Sequence, residues 1–312
     1  MQWGQIKTLF ILCFLILDIF LLHHYISNPS AVYEYTEEFP REDDVRNNIS
    51  GLDYLPDNAP TEEAILYAAT KEFDEEDREE IDALPDQKKV IIDNQLIFAE
   101  FDKPLNINIA ESPQELASYV WDFDQYQYFG MDEVTDSYIF FQQMDHPVYF
   151  NKSGLLLVHT NEEGEVTGYV QTILEKTEDS SSPEEINTPF EALAGLYFND
   201  GYITSGDEIT KEVALGYHNL LPLPNGVQVL APTWQFEVNS ERYYFVNAIE
   251  SHLSYRNTKE FIDEVKYDLL SDFNKDSNAT IEVSGEDWDE EEIEQYLVEI
   301  LGEEEIETNG VE

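Results

Sequence analysis

The chain has 312 residues and carries 67 acidic against 16 basic side chains, a formal net charge of −51. That excludes a nucleic-acid partner, because there are too few Lys and Arg to displace counterions from a phosphate backbone, and it speaks equally against a polybasic membrane-surface patch. With 42% hydrophobic and 13% aromatic residues the chain is too apolar for a disordered polyanion, so a folded core in one domain or two small ones is expected.

The first element is apolar. Residues 6–26 read IKTLFILCFLILDIFLLHHYI, about 31 Å as a helix, which matches the hydrocarbon core of a bilayer. A single transmembrane helix is predicted, within a signal anchor over residues 1–27. A cleaved signal peptide is the competing reading, but His23, His24 and Tyr25 follow the run where a small-x-small site would be needed. Leu12 before Cys13 likewise disfavours a lipoprotein anchor. Lys7 precedes the run and the first basic residue after it is Arg41, which places the N-terminus in the cytoplasm and the C-terminal part outside the cell membrane. Cys13 is the sole cysteine, so no internal disulfide forms, and an exported chain without disulfides leans toward a Gram-positive source.

Asp18 is the one acidic residue inside the predicted span. Two readings stand beside each other: a carboxyl group close enough to the outer interface to be hydrated, or a polar contact with another membrane helix whose donor satisfies it. Asp18 is therefore the candidate partner contact in the membrane. The adjacent His23 and His24 point in different directions on a helix and suit the interface better than a metal.

Residues 28–60, with Pro29, Pro40, Pro56 and Pro60, read as a membrane-proximal linker. A helix start is predicted over Thr61–Tyr67 and an acidic helix over Phe73–Leu84. Two β-rich runs between Lys89 and Phe101 are split by Asp93-Asn94, residues that tolerate the positive φ of a hairpin turn. Pro113 opens a predicted helix with Leu116, Tyr119, Val120 and Phe123 on one face. Strands are predicted at Tyr138–Met144 and Val148–Phe150, and a hairpin pairs Leu155–Thr160 with Val166–Leu174 across Asn161–Gly164.

The polar stretch EDSSSP (Glu178–Pro183) divides the ectodomain into two similar-sized halves, about 61–180 and 184–257. Thr188-Pro189-Phe190-Glu191 forms a capping box, and the helix it opens is expected to bury Phe190, Leu193, Ala194 and Tyr197 before stopping near Gly201. Strands follow at Glu212–Leu221, Gln228–Val238 and Arg242–Glu250. The last two close through Asn239-Ser240-Glu241, and Trp234, Phe236 and Val238 alternate toward one buried face. The fold class is α+β, antiparallel sheets with packed helices.

Three blocks in this order resemble the YycI (WalI) family: the opening MQWGQIKTLFILCFLILDIFLL, LAGLYFNDGYITSGDEITKEVALGYHNL from Leu193 to Leu220, and VLAPTWQFEVNSERYYFVNAIES from Val229 to Ser251. The resemblance covers roughly residues 1–257 and carries no catalytic chemistry. It implies a membrane-anchored, non-enzymatic regulator that associates with a YycH-like relative and with a WalK-like sensor histidine kinase of a two-component system controlling cell-wall metabolism. Residues 61–257 would be its ectodomain. Residues 258–312 lie beyond the resemblance and read as an acidic helical extension, with a helix carrying Ile262, Val265, Leu269 and Phe273 packing weakly on the rest.

Enzyme readings have little to stand on. Acidic pairs such as Asp122 and Asp124 arise by chance among 67 carboxylates, and neither G-x-S-x-G, H-E-x-x-H, a Gly-rich phosphate loop nor S-x-x-K occurs. His146, His159, His218 and His252 lack ligand spacing, and Asp272-Phe-Asn274-Lys-Asp276 fails as an EF-hand because Ser277 replaces the turn glycine and Val283 the twelfth ligand. No cofactor, metal or catalytic residue is expected. The alternative function is a membrane-tethered cell-envelope hydrolase or carbohydrate-binding protein. The acidic excess lies wholly outside residues 1–27 and is read as adaptation to a saline or alkaline medium.

Overall fold

The computed structural model describes residues 3–27, 38–132, 135–177, 181–199, 201–220, 226–255, 258–274 and 281–284. Two units divide at Asn47. The N-terminal unit holds helices α1 (Trp3–Ser27) and α2 (Glu38–Asn48). In α1 no proline interrupts the run, and Phe10, Phe14, Leu15, Ile19 and Phe20 are exposed along it. Side chains are described for Lys7, Thr8 and residues 10–20 of this helix, and among the described residues no helix is long and apolar enough to cross a membrane. Helix α2 occupies part of the expected linker, stabilised by an Arg46–Glu42 ion pair at 2.7 Å with i,i+4 spacing.

The second unit is a mixed α+β fold, mostly antiparallel. Its strands begin with β1 (Glu62–Glu63) and β2 (Leu66–Thr70), followed by helix α3 (Glu75–Asp82). Next come β3 (Gln87–Ile92), β4 (Leu96–Leu105), β5 (Tyr126–Asp132), β6 (Ser137–Gln142), β7 (Val148–Tyr149), β8 (Leu155–Thr160), β9 (Val166–Thr172), β10 (Leu174–Lys176) and β11 (Glu184–Glu185). Helix α4 (Pro189–Phe198) precedes β12 (Ala214–Asn219), β13 (Gln228–Val238), β14 (Arg242–Asn247) and β15 (Leu253–Tyr255), and α5 (Thr258–Asn274) leads to β16 (Ile281–Ser284).

One seven-stranded sheet has the order β16-β3-β4-β9-β8-β6-β5. The other runs β10-β2-β13-β12-β7, with β14 on β13 and β15 on β14; β1 and β11 form a separate ribbon. The second sheet thus draws β2, β7 and β10 from before the polar break and the rest from after it. The first sheet is covered on both faces. Phe73, Ile81, Leu116, Trp121 and Phe123 pack with Ile91, Ile97, Phe140 and Tyr169 in one buried cluster. In another, Val90, Phe98, Phe141 and Leu157 meet Tyr149 and Phe245 of the second sheet.

Local chemistry accounts for the turns. Asp93 and Asn94, at φ 48° and 59°, close the β3–β4 hairpin as expected, and Asn239 and Ser240, at 55° and 57°, close β13–β14. In the β8–β9 loop Asn161 Oδ1 accepts from the amides of Glu163 and Glu165. Asp74 and Asp77 cap α3 reciprocally, and Thr188 with Glu191 caps α4 behind Pro189 as the sequence suggests.

Several expectations are corrected. Thr61–Tyr67 is not helical: Glu62 and Glu63 pair with β11 and Leu66 and Tyr67 with β13, so ladder partners distant in sequence override the local helix signal. The helix after Pro113 is replaced by two 3-10 turns, Pro113–Ser118 and Phe123–Gln125, separated by left-handed Asp122 at φ 47°. Leu116, Val120 and Phe123 are buried all the same. Helix α4 buries Pro189, Ala192, Leu193 and Leu196, a stripe rotated from the expected one, leaving Phe190 and Tyr197 half-buried on its flanks. Strand β13 is covered on both faces, since Thr233 and Gln235 are buried as well as Trp234, Phe236 and Val238. Residues 50–54, expected in the linker, belong to the second unit. Ser50 donates to the Asp207 carbonyl at 3.1 Å, Ile209 donates to Ser50 at 3.0 Å and Val213 to Tyr54 at 2.9 Å.

The largest departure concerns the C-terminal extension. Phe261, Ile262 and Val265 of α5 are buried with Phe141, Phe150 and Phe245, and β16 pairs antiparallel with β3 from Ile281 opposite Ile92 to Ser284 opposite Lys89. This segment completes a core and a sheet edge. Phe273, expected on the same apolar face, and residues 285–312 lie outside the described side chains.

Candidate functional site

Asp18, the residue singled out in the membrane-like helix, lies on α1 with its side chain exposed, between exposed Leu17 and Ile19. A carboxylate there can accept hydrogen bonds from a donor on another helix. Cys13, five residues earlier on the same helix, is exposed as well.

In the second unit the polar side chains converge in a few places, each with a legible role. Asp207 ties the 204–210 segment to the β13–β14 hairpin: its carboxylate accepts from the Thr204 amide at 2.8 Å, from Asn239 Nδ2 at 2.7 Å and from Arg242 at 2.8 Å. Burial pushes this carboxyl upward, but the amide, Asn239 and Arg242 together hold it below the usual carboxylate range. His159 is buried on β8, where Ser137 Oγ donates to the Thr135 carbonyl at 2.9 Å. The hydroxyl oxygen is then the acceptor for His159 Nδ1 at 2.8 Å, which fixes the tautomer. Burial, aided by Lys266, lowers His159 to about 3, so it is a neutral structural residue at any physiological pH.

A cleft of about 120 Å³ opens on the second sheet between β12, β13, β14 and β15, lined by His218, Thr233, Phe245, Asn247, His252 and Ser254 among others. Its polar atoms largely serve the fold. His218 Nδ1 lies 3.0 Å from the Asn219 carbonyl and so donates to it; Thr233 donates to the Ala231 carbonyl at 3.0 Å; Asn247 Oδ1 accepts from the amides of Ile249 and Glu250 at 2.8 and 3.0 Å. Among the described residues that line it there is no carboxylate. Sequence spacing set His218 and His252 apart; the β14–β15 turn at residues 248–252 brings them to one cleft, a proximity no spacing pattern encodes. His146 and His159 lie elsewhere. Among the described residues no three His, Cys, Asp or Glu side chains are placed to hold a metal ion.

A family model described as "YycI protein" matches residues 45–249. No curated protein matches the chain. Among solved structures, an uncharacterized protein from Eubacterium rectale superposes with a TM-score of 0.39 at 15% identity, covering 67% of this chain and 89% of that one. That likeness is too loose to carry over a fold or a role.

Proposed function

The chain belongs to the YycI family, and on that premise, which implies a regulator of the WalK (YycG) two-component system, we propose that it is a membrane-anchored accessory protein of a WalK-like sensor histidine kinase. Residues 6–26 of α1 would lie in the bilayer as a single pass, the N-terminus in the cytoplasm and the ectodomain outside, where it meets a YycH-like relative and the kinase. The family match over residues 45–249 carries this reading. The exposed apolar side chains of α1 and the charge asymmetry around it support the anchor.

The mechanism is a coupling free energy. Contacts of α1 and of the ectodomain that favour one arrangement of the kinase helices over another bias its signalling state, and a differential of about 1–3 kcal/mol suffices for a 5- to 150-fold shift. Asp18 is the proposed contact within the membrane, because a partner donor would satisfy a carboxyl group that lipid cannot. Asp18→Leu is expected to reduce recovery of the kinase with this protein from detergent extracts and to alter signalling output. Unchanged recovery together with unchanged signalling would overturn the assignment of Asp18.

A further inference from the structure

We propose that α5 fills, in cis, a helix-accepting seat between the two sheets, and that the seat takes an acidic amphipathic helix of a partner protein when α5 is displaced. Its floor is aromatic. The ring of Phe150 lies 5.2 Å from that of Phe141 and 5.2 Å from that of Phe245, and Phe129 and Tyr149 extend the cluster, 5.5 Å from Phe150 and 5.4 Å from Phe245. On this floor α5 buries Phe261, Ile262 and Val265, with the Phe261 ring 5.2 Å from Phe150, while Lys259, Glu260, Asp263 and Tyr267 are exposed. Apolar anchors at i, i+1 and i+4 with polar residues between them are the way an amphipathic helix occupies a groove.

The seat is organised by residues outside α5. Phe150 holds a left-handed backbone at φ 50°, a conformation that is strained for a bulky side chain and persists only where the surroundings impose it. The turn after β7 is imposed by four bonds. Asn151 Nδ2 donates to Gln228 Oε1 at 2.7 Å, Asn151 Oδ1 accepts from the Ser153 amide at 2.9 Å, Gln228 Nε2 donates to Ser153 Oγ at 2.9 Å, and Thr172 Oγ1 donates to the Lys152 carbonyl at 2.6 Å. None of these partners belongs to α5, so the turn holds the Phe150 ring and the Lys152 side chain ready for a helix, and preorganisation of this kind lowers the cost of binding. Floor and turn lie within the residues 45–249 matched by the family model, whereas α5 lies beyond them.

Lys152 sets the charge of the occupant. Its ammonium pairs with Asp268 and lies 3.6 Å from Glu264 Oε1, two carboxylates one turn apart on α5. The partner is therefore a helix with an aromatic residue, branched aliphatic residues one and four positions further on, and carboxylates three and seven positions further on. While α5 is seated such a helix is excluded, so α5 acts as an autoinhibitory plug whose displacement opens the site. This inference does not rest on the kinase-regulator reading.

A fluorescein-labelled peptide of residues 258–274 stands in for the partner helix, titrated onto the detergent-solubilised full chain and read by fluorescence anisotropy. Val265→Asp in the full chain unseats α5, so the peptide should bind that variant at least about ten-fold more tightly than the wild type, whose seat is occupied. Adding Lys152→Glu should weaken that binding roughly five-fold, and Phe261→Ala in the peptide should weaken it more than about ten-fold. Native-state hydrogen exchange on the wild type reads the same opening, and it decides alone if Val265→Asp does not fold. The Val265 amide should exchange roughly ten-fold or more faster than the Val170 amide of the first sheet, after correction for intrinsic rates, because α5 opens without the sheets. Equal affinity for wild type and Val265→Asp, binding indifferent to both further substitutions, or equal protection of Val265 and Val170 would overturn the plug. A wild-type dimer that exchanges α5 between copies would give the seat to a second copy and overturn the partner assignment.

Discussion

Phe261→Ala in the intact chain should lower the unfolding free energy of the second unit by about 3–5 kcal/mol, the range for removing a buried aromatic from a close-packed core. Phe261 is 3% exposed, with its ring centroid 5.2 Å from that of Phe150 and 5.9 Å from that of Phe141. Those two residues come from β6 and the end of β7, so the truncation opens a void where three elements meet. Tyr267 on the same helix is 60% exposed and serves as the control, since Tyr267→Ala should shift stability by no more than about 0.5 kcal/mol. Urea unfolding followed by tryptophan fluorescence reads both. Equal, small effects would mean that α5 is the weakly packed appendage its acidic composition suggested.

The second large effect is expected at Gly51. A Cβ built there would stand 2.0 Å from the Ile209 carbonyl oxygen and 2.9 Å from its carbon, and the residue is left-handed at φ 77°. Alanine therefore meets two penalties, about 1–2 kcal/mol for the backbone conformation and a collision with main chain that cannot swing aside. Relief would separate Ser50 from its bonds to Asp207 and Ile209, each worth about 1 kcal/mol. Gly51→Ala should cost about 3–5 kcal/mol in all. Gly164, at φ 78° with open space around it, isolates the conformational part, and Gly164→Ala should cost about 1–2 kcal/mol in the same unfolding assay. Equal losses at the two sites would show that the close approach at Ile209 contributes nothing.

What could be read from the residues was local. Asp93-Asn94 announces a hairpin because those side chains tolerate positive φ, and Thr188-Pro189 with Glu191 announces a helix start because the capping atoms are all within one turn. Where partners come from far along the chain the signal fails. Leu66 and Tyr67 look helical in isolation, yet they pair with β13, a strand more than a hundred residues away. The face that α4 buries is set by what packs on it, and the letters permit two adjacent stripes. Charge concealed α5 and β16. A run of acids reads as solvated surface, but Phe261, Ile262 and Val265 among them are enough to anchor a helix. The candidate site followed the same rule: Asp18 stood out because a single carboxylate interrupts an apolar helix, whereas nothing in sequence places His218 and His252 in one cleft.

That the family signature ends at residue 249 while the core continues into α5 also bears on experiment, because a fragment trimmed to the matched region would lack Phe261 and the β16 edge. Any binding study is best done on the full chain in native membranes. The most direct test of the regulator reading is photo-crosslinking there, with probes at Leu15 and Ile19 beside Asp18 and at exposed Tyr54 and Tyr202 on the ectodomain, followed by identification of the joined proteins. The expected products are a WalK-like kinase from the helix probes, and the kinase together with a YycH-like protein from the ectodomain probes. Absence of the kinase from the products at all four positions would contradict the account.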